Sequence, residues 1–211
     1  QCPSFSFKMQ KTTPWQDECE TPSERIAYVR DTDDLADINI FFPQDDVTIK
    51  AHKFVLGISS PIFMKLLYGS FSEASEGCRT IKLHEDSSQI FEILLDHIYK
   101  GFTPIKHIDE AQAVYAMAHK YDIKSLMCAC FEHLKTEITT ENILKVYEFA
   151  VFYEESELLK RCLSVINTSA DMVMSFEKIN NISEDCMMHL LKNDAIEVSS
   201  EVIMFKALNT W

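Results

Sequence analysis

The sequence predicts an α+β fold: a short mixed sheet capped by helices, followed by an all-helical extension. Two observations set the class. Alternation of β-branched and aromatic residues is confined to residues 37–51 and 79–83, and helical apolar spacing takes over from residue 91 and runs to 211. A third sets the organisation. No Gly/Ser-rich stretch divides the two parts, so the extension is expected to pack directly on the first unit.

Residues 1–20 carry no clean period and read as an N-terminal arm. Thr21 then caps a short helix with Pro22 in its first turn, where a missing N–H costs nothing, and Ile26 and Val29 give it an apolar edge. DINIFF (37–42), the turn PQDD (43–46) and VTIKA (47–51) make a hairpin. Residues 52–69 hold two short helices, the second opened by Ser60-Pro61 and closed by Gly69, and RTIKL (79–83) is a further strand.

Six apolar quartets at i, i+3, i+4, i+7 follow. They are Phe91/Leu94/Leu95/Ile98, Ala111/Val114/Tyr115/Ala118, Ile123/Leu126/Met127/Cys130, Ile143/Val146/Tyr147/Ala150, Leu159/Cys162/Leu163/Ile166 and Met204/Ala207/Leu208/Trp211. Helix starts are expected at Thr140-Glu141-Asn142, Ser183-Glu184-Asp185 and Ser199-Ser200-Glu201, with acids in the first turn where the helix dipole favours them. The mixed unit is drawn over 21–135 and the helical one over 136–211.

A formal net charge of −13 repels phosphate backbones and anionic lipid, so nucleic acid and membrane surfaces are excluded as partners and a protein with a basic patch is favoured. Seven cysteines, an odd number without a CxxC pair, fit a reducing compartment, the cytoplasm or nucleus. No apolar run approaches the roughly 18 residues of a membrane span, and the N-terminal stretch has no signal-peptide core.

Catalytic constellations are missing. Gly57-Ile58-Ser59-Ser60-Pro61 begins like a nucleophile elbow, yet Pro61 stands where the second glycine must relieve the turn, and Ser60 is better read as a helix cap. The seven histidines form no HExxH pattern, and Cys128-x-Cys130 sets its thiols on diverging helix faces. Four glycines in the whole chain leave no phosphate-cradling loop. His52, at a strand-to-helix junction, reads as a hydrogen-bonding plug for groups that the turn leaves unpaired. Neither a catalytic residue nor a metal or cofactor is expected. By contrast Phe71, just past a helix-closing glycine in the polar stretch SFSEASEG, is a candidate interface anchor.

These residues resemble a BTB/POZ domain followed by a BACK domain. DLADINIFF is similar to the family's first core strand with Asp37 at its acidic position, and IKAHKFVLGISSPIFMKLLYGSF places His52, Lys53, Ser60 and Phe63 at motif positions. TIKLHEDSSQIFEILLDHIYKG resembles the following strand and helix, and TTENILKVYEFAVFYEESELLKRC looks like the helical pair called the 3-box. WQDECETPSERIAYV and YGSFSE look most like the subgroup that carries a C-terminal PHR-type β-domain.

The resemblance implies a non-catalytic adaptor of cullin-3 ubiquitin ligases. Its φ-x-E motif would be Phe71-Ser72-Glu73, with an aromatic where the family more often shows methionine or leucine. Met64, Tyr68, Tyr121 and Lys124 would extend the cullin surface, Leu67 belonging with the core, and the 3-box would lengthen the groove for the cullin's N-terminal tail. A homodimer is implied through the helices near 22–31 and 53–59, with Ile26, Tyr28, Val29, Phe54 and Leu56 near the interface. A protein substrate would be recognised by a domain after Trp211. The alternative is a transcriptional co-repressor platform, in which Asp37 and Lys53 line a charged groove; the helical extension speaks against it.

Overall fold

In the computed structural model, which describes residues 14–69, 79–175, 179, 182–192, 196 and 198–211, the chain divides into two compact units between Phe102 and Thr103. The first is built around β1 (Ile38–Phe42). Its alternation buries Ile38, Ile40 and Phe42 on one face. β2 (Val47–Ala51) pairs antiparallel with β1 in the register Ile40↔Ile49, and β3 (Thr80–Lys82) pairs parallel on its other side, Ile40↔Ile81. The sheet is therefore short and mixed, in the order β2-β1-β3.

Local chemistry explains the flanking helices. Ahead of β1, the arm expected over residues 1–20 contains a single turn, α1 (Trp15–Glu18), in its described part. The Trp15 ring stacks on Tyr28 at 4.6 Å, because an indole gains more from an apolar partner than from water. α2 (Pro22–Thr32) opens with a capping box: Thr21 Oγ1 accepts from Glu24 N–H at 3.2 Å, and the Glu24 carboxylate accepts the N–H of Thr21 (3.1 Å) and of Glu20 (2.7 Å). α3 (Lys53–Ser59) and α4 (Pro61–Tyr68) are joined by Ser60, buried at 1 % exposure, whose Oγ accepts from Phe63 N–H at 3.1 Å. α5 (Ser88–Lys100) ends on Gly101 at φ +66°, the left-handed cap. Phe91 of α5 meets Phe42 (5.2 Å) and Phe63 (6.1 Å, edge-on) in the core.

The second unit is helical in its described residues: α6 (Ile108–Lys120), α7 (Lys124–Thr136), α8 (Ile143–Phe152), α9 (Ser156–Thr168), α10 (Ala170–Ser175), α11 (Glu184–Leu191) and α12 (Glu201–Thr210). The expected stripes on α6, α7 and α8 are largely buried, with Met127 half-exposed. Two stripes need correction. On α9 the fully buried line is Leu158, Cys162 and Ile166, with Leu159 and Leu163 half-exposed at its side; adjacent leucines left the phase ambiguous by one residue. On α12 only Ala207 of the quartet is buried, while Leu208 and Trp211 stay exposed.

Ser183 and Ser200 cap α11 and α12 as expected, accepting from Cys186 N–H and Val202 N–H. Thr140-Glu141-Asn142 behaves differently. Helix α8 starts at Ile143, so Glu141 falls outside its first turn, and the Asn142 side chain instead bridges Thr139 N–H and the Glu137 carbonyl, both at 2.8 Å. No helix among the described residues is long and apolar enough to cross a membrane.

Candidate functional site

His52 is locked by three hydrogen bonds. Its Nε2 lies 2.7 Å from the Asp34 carbonyl, its Nδ1 lies 2.9 Å from Tyr99 Oη, and its backbone N–H donates to the same Oη at 2.9 Å. The ring is a plug, as the junction predicts. Helix α3 gets no cap bond from the His52 side chain; the Asp37 carboxylate accepts the Lys53 N–H at 2.7 Å instead. Asp37 and Lys53 are thus joined through the backbone, a fold-building contact.

Beside that plug, α3 and α4 present a surface. Met64 and Tyr68 stand one turn apart on α4, 42 % and 53 % exposed, while Phe63 and Leu67 on the other side are buried. Gly57 of α3 makes the arrangement possible: a Cβ there would lie 3.0 Å from Tyr68 Cε2 and 3.5 Å from Met64 Cε. Partial burial and the nearby Asp37 charge push the Tyr68 phenol above its ordinary pKa. Gly69 closes α4, and Phe71 and Glu73 lie outside the described residues.

Tyr121 and Lys124 belong to the second unit. Lys124 is exposed, but Tyr121 is buried at 2 %, because its place at the end of α6 turns the ring inward. That corrects the expectation of a contact residue there. Among the dimer candidates, Phe54 is 66 % exposed and Ile26 and Tyr28 are half-buried, whereas Val29 and Leu56 are core. Leu56 has no exposed surface to offer. Ile58, 59 % exposed and one turn beyond Phe54, was missed; the i, i+4 spacing on a seven-residue helix is the signal that could have found it.

The second unit adds a groove of about 530 Å³ whose walls include Tyr115, His119, Met127 and Phe131, with the exposed Cys128 among them. Its rim carries Asp122, Glu155 and Glu157 against Lys124. Tyr115, buried against Phe149 and Tyr153, donates its hydroxyl to Glu155, and burial with that carboxylate raises its pKa strongly. Lys135 fixes Glu157 at 2.9 Å while lying over the Phe131 ring. Burial pushes the Cys130 and Cys162 thiols up to about 12, so both act as core residues.

Comparison with known proteins agrees with this outline. The family model for the BTB/POZ domain matches residues 27–138, and that for "BTB And C-terminal Kelch" matches 143–211. BTB/POZ domain-containing protein 6 of Homo sapiens is 26 % identical over 211 residues, which is 99 % of this chain and 38 % of that protein. BTB/POZ domain-containing protein 6-A of Danio rerio is 27 % identical over 199 residues (93 % and 36 %), and BTB/POZ domain-containing protein 3 of Homo sapiens 25 % over 199 residues (93 % and 37 %). The chain thus spans less than two fifths of the length of these relatives. Proteins of this architecture are in general non-catalytic interaction modules, their BTB domains mediating dimerisation and protein contacts. The first match covers the three-stranded mixed sheet and the second the helices from α8 onward, and the chain belongs to the BTB/POZ family with a BACK domain behind.

Proposed function

We propose that this chain is the adaptor part of a cullin-3 RING ubiquitin ligase, closest to the BTB–BACK–PHR class. It homodimerises, binds cullin-3, and holds a protein substrate through a domain outside these 211 residues. The observation that carries the reading is the pair Met64 and Tyr68, exposed on α4 and leading through Gly69 into Phe71-Ser72-Glu73. Apolar side chains followed by a carboxylate suit an anchor with an orienting charge. The groove around Tyr115 and Phe131 is a suitable seat for the cullin's N-terminal tail.

No bond is made or broken by this chain in that role. Its contribution is proximity, raising the effective concentration of substrate near the loaded enzyme. The setting is the cytoplasm or nucleus.

Calorimetric titration with a cullin-3 N-terminal fragment tests the reading. Phe71→Ala or Glu73→Ala is expected to cost about 2 kcal/mol or more of binding, the hot-spot scale, with the thermal unfolding of the chain unchanged. Absence of binding by the wild type, or wild-type affinity in both variants, would overturn it.

A further inference from the structure

A second groove lies along α8. Two hollows of about 470 and 570 Å³ lie side by side, Lys145 and Glu148 lining both, and they have no lining residue in common with the groove at Tyr115. Lys145, Glu148 and Phe152 stand at i, i+3, i+7, so one face of α8 forms the wall. The apolar end is Phe152, 76 % exposed, set beside Val151. Its ring is supported from the side: Tyr153 meets it edge-on at 4.8 Å and itself packs on Phe149 at 4.7 Å. An aromatic ring held in place yet open to water is a preformed anchor seat.

The rest of the groove is acidic. Among the described lining residues, Asp109, Glu141, Glu148 and Asp185 stand against one ammonium, Lys145, which is engaged by Asp109 at 2.5 Å. Glu148 accepts the Ser183 N–H at 2.9 Å, a contact that orients the carboxylate. The described lining residues therefore sum to a negative site beside an apolar one.

We propose that this groove docks a basic segment of a partner protein, with an aliphatic or aromatic side chain on Phe152 and a lysine or arginine reaching Glu148 and Asp185. Four residues of helix separate Phe152 from Glu148, a rise of about 6 Å. Two residues of extended chain span about the same distance at roughly 3.3 Å each, so the segment reads apolar, any residue, basic. Charge complementarity selects this occupant. A nucleic acid or an anionic lipid surface is repelled, and a second copy of the chain would bring another −13.

The test is titration of the whole 211-residue chain with a synthetic eight-residue peptide containing the run Leu-Ser-Arg-Ser-Arg, read by calorimetry at physiological ionic strength. Saturable one-to-one binding is expected. It should weaken about tenfold or more in Phe152→Ala and in Glu141→Lys or Asp185→Lys. It should be unchanged in Glu132→Lys, a charge reversal at a residue that lines neither hollow. Phe152 and Glu141 are exposed, so circular dichroism should report native helix in both variants. No saturation by the wild type at millimolar peptide, equal binding of a peptide with Glu in place of Arg, or equal weakening by Glu132→Lys would overturn the site. None of these outcomes involves cullin-3, so the adaptor reading stands or falls separately.

Discussion

The Asp34 carbonyl can only accept, so Nε2 of His52 carries a proton toward it, while the Tyr99 hydroxyl oxygen accepts the His52 backbone N–H and lies within hydrogen-bond distance of Nδ1. The plug also pins a turn in which Asp33 and Leu35 take φ of 58° and 65°, a conformation that costs a leucine on the order of 1 kcal/mol. Tyr99→Phe would leave two polar groups of His52 without their partner, and a loss of about 1–3 kcal/mol in urea denaturation is expected. Burial also pushes the Tyr99 phenol up to about 12, against about 10 when unfolded. The unfolded chain therefore loses that proton first, and the contribution, complete below pH 10, disappears as pH rises towards 12. Tyr99→Phe should flatten this alkaline decline. Wild-type stability at neutral pH, or an unaltered alkaline slope, would remove the clasp from the account. The plug itself was readable, because a lone histidine at a strand-to-helix junction has few other uses. Its partner was not: Tyr99 lies 47 residues away, and local pattern carries no record of long-range pairing. Tyr121 failed for a related reason, since a tyrosine at a helix end suits core or surface equally and only the chain's path decides.

Elements were more readable than individual contacts, because periodicity averages over many side chains. Both strands of the hairpin, the Ser60-Pro61 start and the Gly69 stop fall where turn and cap chemistry put them. What escaped is phase. The Leu158-Leu159 pair on α9 and the exposure of Leu208 and Trp211 on α12 depend on which neighbour arrives, which a stripe does not encode. The two glycines around α4 look alike in sequence and differ in space. At Gly69 a Cβ would sit 2.2 Å from the Lys65 carbonyl oxygen, the backbone group that accepts the Gly69 N–H. At Gly57 the obstacle is the edge of the Tyr68 ring, which can swing. Gly69→Ala is accordingly expected to open the end of α4 and lower stability by about 1–3 kcal/mol, the range of a strained backbone site. Gly57→Ala should stay within about 1 kcal/mol of wild type, since alanine favours the helix, while displacing the Tyr68 ring. Thermal denaturation and the Tyr68 ring resonances distinguish them; equal loss of stability in both would refute the contrast.

At the scale of the molecule, family and packing divide the chain in different places. The family matches part between 138 and 143 and the compact units between 102 and 103, so α6 and α7 belong to the BTB/POZ domain by family and are grouped with the BACK helices by contact. Tyr115 shows why: its ring is buried by Phe149 and Tyr153, which lie beyond the BTB/POZ match. The boundary expected at 135 rests on the change from a mixed to an all-helical organisation, which says nothing of which helices share a core.

The proposed dimer contact on α3 sets two whole-chain forces against each other. Phe54 and Ile58 form an exposed apolar pair on α3, while each copy brings a formal charge of −13. Apolar contact is insensitive to moderate salt and charge repulsion is screened by it, so self-association should strengthen as ionic strength rises. Light scattering on the purified chain is expected to give twice 24.3 kDa, and 24.3 kDa for the double variant Phe54→Asp, Ile58→Asp. That variant should keep its fold because both side chains are already in water, whereas Leu56→Asp, at 0 % exposure, should unfold the unit. A monomeric wild type across the salt range, or a double variant that still dimerises, would place the dimer contact somewhere other than this face of α3.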